Sequence, residues 1–340
     1  MRTVITGGGG FLGFHLSRGI SGEQTLLDIA PFRDVEDREG IKRVVGDIRD
    51  IDLLRDLFKD ADQVIHGAAA LPLWKPAEIR DVNEQGTATV LQAALDVGVR
   101  RVVHISSTAV YGIPDHHPLT EEDEMVGVGP YGESKVVAEL ICSAFRKKGL
   151  FVAVVRPKTF IGPERLGVFQ ILFDWVREGR KIPVIGNGEN RYQLLDVADL
   201  VSAVQTLLNC PIEEGNSTFN VGAERFGTVK SDLGELFAHA GTGSRILPTH
   251  AGFAKGMLAV LEAANLSPLY KWVYGTADQD SWVSIEKLKA LGWQPQHSNA
   301  ETMKRTYDWY LDNLDALQAP GTGHRVPWRE GALSIIRHFL

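Results

Sequence analysis

Cysteine is nearly absent from this chain, with Cys142 and Cys210 the only two among 340 residues. They form neither a disulfide framework nor a metal motif, which fits a reducing compartment, and no metal site is expected. Long apolar runs are also lacking, since none approaches the ~20 residues needed to cross a bilayer. The nearest, Ala251 to Ala264, is broken by Gly252, Lys255, Gly256 and Glu262 and reads as a helix, buried or semi-exposed. No basic face or lysine and arginine run argues for nucleic acid and the net charge is -7, so that partner is not expected. The first strand pattern starts almost at Met1, so no signal peptide and a cytoplasmic location are expected. With 44% hydrophobic and 23% charged residues, the chain has the composition of an ordinary soluble protein with one large or two modest domains.

Glycine, by contrast, is concentrated at one end. Thr3, Val4 and Ile5 form a β-branched run that stops at four consecutive glycines before a helical apolar pattern, and Gly7, Gly10 and Gly13 are spaced three apart. Such a strand, turn and helix lets backbone approach a pyrophosphate, which would rest on the free amides of the helix start. The plain alternative is a glycine-rich turn with no ligand. Gln24 to Asp28 reads as a second strand ending in an acid about 20 residues on, where a carboxylate accepts ribose hydroxyls and repels a 2′-phosphate. NAD is therefore favoured over NADP, with Arg33 the residue that speaks against it; the alternative for Asp28 is a solvated strand-end carboxylate.

Strand and helix patterns then alternate. Lys42 to Gly46, Ala61 to His66 and Arg100 to Ile105 read as strands, while Asp50 opens one helical pattern and Pro76 to Val97 another, with Asn83 and Thr87 on one side. This alternation predicts right-handed crossovers, a doubly wound parallel sheet and a ligand crevice at the carboxyl ends of the strands. Small residues from Gly67 to Ala70 leave space there, or merely pack closely.

Ser106, Ser107 and Thr108 end the fifth strand. In the later segment PYGESK, Tyr131 and Lys135 lie four apart at the start of a helix and share a face. A free phenol ionises near ~10, too high for a base at neutral pH, and an adjacent ammonium favours the phenolate. Ser107 would hold a substrate hydroxyl near Tyr131. Taken alone, the pair also fits an ordinary surface contact.

TGGGGFLG with Asp28, HGAAA, Asn83, SSTAVYG, YGESK, RPKTFIGP, GNGENRYQLLDVADL, FNVG and IEKLKALGWQP together resemble the extended short-chain dehydrogenase/reductase family, in its branch of NAD-dependent epimerases and dehydratases. The likeness spans about residues 1 to 315. It implies a Rossmann-type α/β fold with a smaller C-terminal α/β substrate domain, and Ser107, Tyr131 and Lys135 as catalytic residues supported by Asn83. It assigns NAD contacts to Gly7, Gly10, Phe11, Leu12, Gly13, Asp28, Asp47, Ile48, Ala68, Ala69, Asn83, Tyr131, Lys135 and Lys158, those of Ala68 and Lys158 through backbone. Ser107, Thr108, Thr159 and Arg191 are its candidate substrate residues.

Departures from the pattern concern the substrate. Thr159 stands where sugar-nucleotide enzymes of the family usually have asparagine, and Ile161 where tyrosine is frequent. Arg191 stands one residue farther from DVADL than usual, so it is either a diphosphate ligand or a surface arginine. The apolar segment His250 to Tyr274 is either core and lid packing or the lining of a lipophilic site, as in related 3β-hydroxysteroid dehydrogenases. Thr108 and Ala109 occupy the places of the acid pair typical of 4,6-dehydratases.

The expected domains are residues 1–165 for the cofactor and 166–340 mainly for the substrate; residues 196–208 either stay with the second or return to the first. Helices around 84–97 and 131–147 pair across a homodimer by resemblance, or remain solvent-covered in a monomer. The amphipathic tail GALSIIRHFL is expected to pack on the body or a dimer partner rather than on a membrane. The leading expectation is 4-epimerisation of a UDP-hexose or uronic acid through a transient ketone. Its alternatives are an NAD-dependent dehydrogenase of a lipophilic secondary alcohol and a non-catalytic dinucleotide sensor.

Overall fold

A computed structural model describes the chain except for residues 33–37, 73, 165, 167–168, 264–274 and 319–340. Arg33, the last part of the apolar segment and the amphipathic tail thus lie outside the described residues.

The chain divides into two units, the larger comprising Met1–Lys158, Val197–Gly222 and Val283–Pro295. Its strands β1 (Arg2–Thr6), β2 (Glu23–Asp28), β3 (Ile41–Val45), β4 (Gln63–His66), β5 (Arg101–Ile105) and β6 (Val152–Pro157) are joined by a late strand, Thr218–Val221. All seven pair in parallel, and from the late strand the order runs β6, β5, β4, β1, β2, β3. The order reverses between β1 and β4, which is where a doubly wound sheet opens a crevice. Valine-rich β6 is buried along its whole length, as expected for a strand covered on both faces. By contrast β3 has one neighbour and leaves Lys42 exposed at the sheet edge.

Helices α1 (Phe11–Gly19), α2 (Ile51–Phe58), α3 (Pro76–Arg80), α4 (Gly86–Val97) and α5 (Gly129–Lys147) belong to this unit. The Asp50 carboxylate accepts from the Asp52 and Leu53 amides, satisfying the start of α2. Leu54, Phe58, Val90, Leu91, Cys142 and Phe145 then pack with Val64, Val102, Val152 and Val154 of the sheet. The predicted helix from Pro76 to Val97 is interrupted by a π-helical turn, Asp81–Gln85, a feature that apolar spacing does not reveal.

The smaller unit comprises Thr159–Asp196, Ala223–Trp282 and Gln296–Leu340. The chain leaves the larger unit where β6 ends, earlier than the boundary read at about 165. It returns with Val197–Gly222 because that segment carries the seventh strand. Residues 283–295 also belong to the larger unit, held there by Ser284 N on Leu119 O and Trp293 Nε1 on Ser202 Oγ.

Strands β7 (Phe160–Ile161) and β9 (Leu195–Asp196) form one short sheet of the smaller unit, and β8 (Lys181–Ile185) with β11 (Arg245–Thr249) another; β10 is the late strand of the larger sheet. Phe173, Trp175, Leu236, Phe237, Met303, Tyr307 and Tyr310 build the unit's own core. The expected helix over the apolar segment spans Ala251–Ala263; it buries Ala254 and Leu258 but leaves Phe253 72%, Met257 42% and Val260 71% exposed. Among the described residues no helix is long and apolar enough to cross a membrane, and no cluster of metal-binding side chains occurs.

Candidate active site

The glycine turn follows β1 directly. Gly7 has φ +72°, and a side-chain carbon there would lie 2.8 Å from the Ala68 amide nitrogen. At Gly13 the same atom would fall 2.4 Å from the Gly7 carbonyl, so α1 packs against the turn only because both positions lack side chains. Gly10 caps α1 without a side-chain acceptor and the first turn holds no acid, leaving the amide end around Phe11, Leu12 and Gly13 suited to an anion. Asp28 accepts from Gly9 N at 3.0 Å and from Ala30 N at 3.1 Å, which fixes a carboxylate beside that turn. A dinucleotide pyrophosphate on the helix end and ribose hydroxyls at Asp28 fit this arrangement, whereas a 2′-phosphate would meet a negative charge.

Other predicted cofactor residues line the same strand ends. Asp47 is gripped by the Arg49 guanidinium, with Nε 3.0 and 3.1 Å from its two oxygens, and this pairing holds its carboxyl below the usual range. Arg49 also reaches Asp81, tying the end of β3 to the π turn. Ile48 is buried against Gly86, where a side-chain carbon would come within 2.5 Å of Ile48 Cδ1. Ala68 N donates to Thr6 Oγ1 at 3.3 Å, and Ala69 is half-buried. Lys158 N donates to Val221 O at 2.8 Å, and burial pushes its ammonium down to about 7.

Ser107 stands just past β5 with extended backbone, opening the 3-10 turn Thr108–Tyr111, and its Oγ accepts from Ala109 N at 3.1 Å. Tyr131 lies in the first turn of α5, and Lys135 Nζ is 5.9 Å from its ring centroid. Lys135 is 3% exposed; its Nζ donates to Ile105 O at 3.0 Å, and burial lowers it to about 8. One ammonium thus joins the end of β5 to the tyrosine one helical turn away. Asn83, in the π turn, accepts from Ala70 N at 2.8 Å and donates to Ser134 Oγ at 3.0 Å. The four candidate catalytic residues therefore lie just past β5, on α5 and in the π turn of a single unit.

Behind them runs a buried polar cluster that motif reading missed. Glu139 accepts from Ser106 Oγ at 2.6 Å and from Arg156 Nε and Nη2. Arg156 Nη1 donates to Tyr111 OH at 2.8 Å, and Tyr111 OH donates to Asn220 Oδ1 at 2.7 Å. Burial pushes the Tyr111 phenol up to about 12, so it stays a proton donor here. Polar residues standing within otherwise apolar strand motifs, Arg156 in RPKTFIGP and Asn220 in FNVG, were the available signal. Nothing local shows that both converge on Glu139 and Tyr111.

In the smaller unit Thr159 Oγ1 lies 3.1 Å from Tyr192 OH. The neighbouring Arg191 is exposed, and its guanidinium carbon sits 4.7 Å from the ring centroids of both Phe226 and Trp282. Among the described residues Arg191 makes no ion pair. Aromatic rings hold such a guanidinium by its faces and leave its in-plane donors directed outward. Thr108, in the larger unit, donates to Pro157 O at 3.4 Å.

The chain also resembles known proteins along most of its length. Residues 3–222 match the model of the NAD dependent epimerase/dehydratase family. The chain is 35% identical to the uncharacterized protein y4nG of Sinorhizobium fredii, over 99% of this chain and 86% of that protein. It is 27% identical to a putative UDP-glucose 4-epimerase of Methanocaldococcus jannaschii, over 91% and 98%. Among solved structures, the dTDP-glucose 4,6-dehydratase DesIV of Streptomyces venezuelae with NAD bound superposes with a TM-score of 0.73 at 26% identity, covering 93% of this chain and 98% of that one.

Proposed function

The chain belongs to the NAD-dependent epimerase/dehydratase family, and we propose that it is a 4-epimerase of a UDP-linked hexose or uronic acid. The observation that carries the reading is the Lys135 ammonium, buried on the Ile105 carbonyl beside Tyr131, with Ser107 at the end of the same strand. NAD is the cofactor, held by the Gly7 to Gly13 turn and Asp28, and when bound it supplies reversible hydride exchange with a carbinol carbon. Tyr131 takes the proton from the substrate hydroxyl and later gives it back. Lys135 stabilises the phenolate formed in between. Ser107 Oγ accepts from Ala109 N, so its own proton is left to donate to the reacting oxygen. In the smaller unit, Arg191 is assigned to the diphosphate and Thr159 to the sugar.

Loss of water across two carbons needs a further acid and base near the catalytic hydroxyl. Here Thr108 spends its proton on Pro157 O and Ala109 has none to give, which favours epimerisation over dehydration. A second reading, net oxidation of a lipophilic secondary alcohol, draws on the exposed Phe253, Met257 and Val260. We also assign α4 and α5, the latter with Leu140 57% exposed, to a homodimer interface.

Counting cofactor released by denaturation, then supplying UDP-glucose, UDP-galactose and UDP-glucuronate, tests the proposal. Near-stoichiometric NAD and interconversion at C4 support it. Cofactor-poor protein that accumulates NADH with lipophilic alcohols overturns it in favour of the second reading. Turnover unaffected by Tyr131→Phe removes both.

A further inference from the structure

His66 ends β4 and is 1% exposed, yet no motif gives it a role. Its Nδ1 lies 2.8 Å from Thr6 Oγ1, and its Nε2 lies 3.1 Å from Thr87 Oγ1. The protons along this line can be counted. Thr87 donates its one hydroxyl proton to Asn83 O at 2.6 Å, so toward His66 it accepts, and Nε2 must carry the ring proton. Nδ1 of the neutral ring then accepts from Thr6 Oγ1, which itself accepts from Ala68 N.

The line continues beyond Asn83. Its Nδ2 donates to Ser134 Oγ at 3.0 Å, and Ser134 Oγ donates to Tyr131 O at 2.8 Å. Thr6, His66, Thr87, Asn83 and Ser134 are each at most 2% exposed, so water competes with none of these bonds. One end lies at the strand leading into the glycine turn, and the other on the carbonyl of Tyr131. That carbonyl is also the helical acceptor for the Lys135 amide four residues on, so the pinned peptide belongs to the tyrosine and steers the lysine together.

We propose that His66, as the neutral Nε2–H tautomer, is a positioning residue for proton transfer, fixing the Tyr131 peptide through Thr87, Asn83 and Ser134. The groups facing it work in the same sense. Burial and the Lys135 ammonium lower His66 to about 3, and the His104 ring, at 5.1 Å between centroids, is itself held neutral by burial and by His66. The tautomer is therefore the same throughout the neutral range, and the line behaves as a fixed strut.

The proposal rests on Tyr131 being the group that moves the proton, and two measurements keep the two ideas apart. In the full-length protein labelled with 15N-histidine, the imidazole missing from the His66→Gln spectrum should show the neutral Nε2–H pattern, unchanged between about pH 6 and 9. A neutral Nδ1–H pattern, or titration within that range, overturns the assignment whatever the reaction.

The second measurement is the phenol titration of Tyr131, taken as difference absorbance against a matched Tyr131→Phe protein. Thr87→Val keeps the side-chain shape but removes both hydrogen bonds, and should raise the midpoint by about one pH unit, a tenfold loss of phenolate. Thr87→Ser should restore it. A folded Thr87→Val protein with an unchanged midpoint overturns the positioning role; if that variant does not fold, Ser134→Ala makes the same comparison from the other end of the line. Turnover surviving in Tyr131→Phe, with the histidine pattern as expected, would remove the proposed function and leave the strut intact.

Discussion

Lys135 and Arg191 are both cations assigned to the reaction, and the two units treat them in opposite ways. The larger unit buries Lys135, bonds its ammonium to a strand carbonyl and lowers it to about 8. The smaller unit leaves Arg191 exposed and holds it by two aromatic faces rather than by hydrogen bonds. A cation whose protonation matters must be taken out of water, because burial is what moves its pKa into the working range. A cation that anchors an anion gains from staying charged and keeping its donors outward. The contrast teaches that the proposed proton chemistry draws on the buried polar architecture of the sheet, while the proposed substrate contact is an exposed side chain packed on two rings.

The largest expected effect breaks the comparison on the chemical side. Tyr131→Phe should lower kcat by about 100- to 10,000-fold while bound NAD per chain stays unchanged. Retained turnover would reduce the buried set to mere packing.

Next is the cluster behind the site. Glu139→Gln leaves the buried Arg156 charge without its counter-ion and should cost about 3–5 kcal/mol, read from urea unfolding. A cost below about 1 kcal/mol, typical of exposed pairs, would show that the cluster is not the dry framework described.

Lys135 offers a test through pH. Its folded pKa, about 8, lies below the ordinary 10.5, so between those values the unfolded chain holds more protons and stability rises with pH. Cofactor-free protein should therefore gain on its Lys135→Met variant from about pH 8 to 10, by up to about 3 kcal/mol. Parallel stability curves for the two proteins would show Lys135 to be solvated like Arg191.

The smallest effect sharpens the substrate side. Arg191→Ala should raise KM for a UDP-sugar about 10- to 100-fold with kcat little changed, and Arg191→Lys should restore little of it, since an ammonium lacks the planar fork of donors that grips a diphosphate. An unchanged KM would make Arg191 the surface arginine that its sequence spacing also allowed.

Much of the architecture was legible in the residues. The β-branched run before Gly7, the acid at Asp28 and the alternation through Ile105 all appear as the expected strand, turn and parallel sheet. Tyr131 and Lys135 needed only helical spacing to face one another. The substrate half was less legible. Phe226 and Trp282 lie far along the chain from Arg191, and nothing local pairs them with it. The π turn at Asp81–Gln85 escaped because its apolar pattern is that of an uninterrupted helix.

Sequence by itself therefore determined what short-range periodicity and residue chemistry control: the alternation of strands and helices in the cofactor half, the glycine turn, and the helix face shared by tyrosine and lysine. Only the tertiary structure decided which ring nitrogen of His66 carries the proton, that Glu139 answers Arg156, and that Arg191 packs beside the tilted Phe226 and Trp282 rings. The physical reason is that a buried polar group must find its partner wherever the fold closes around it. Thr6 meets His66 across 60 residues and Tyr111 meets Asn220 across 109, separations over which local propensity carries no information.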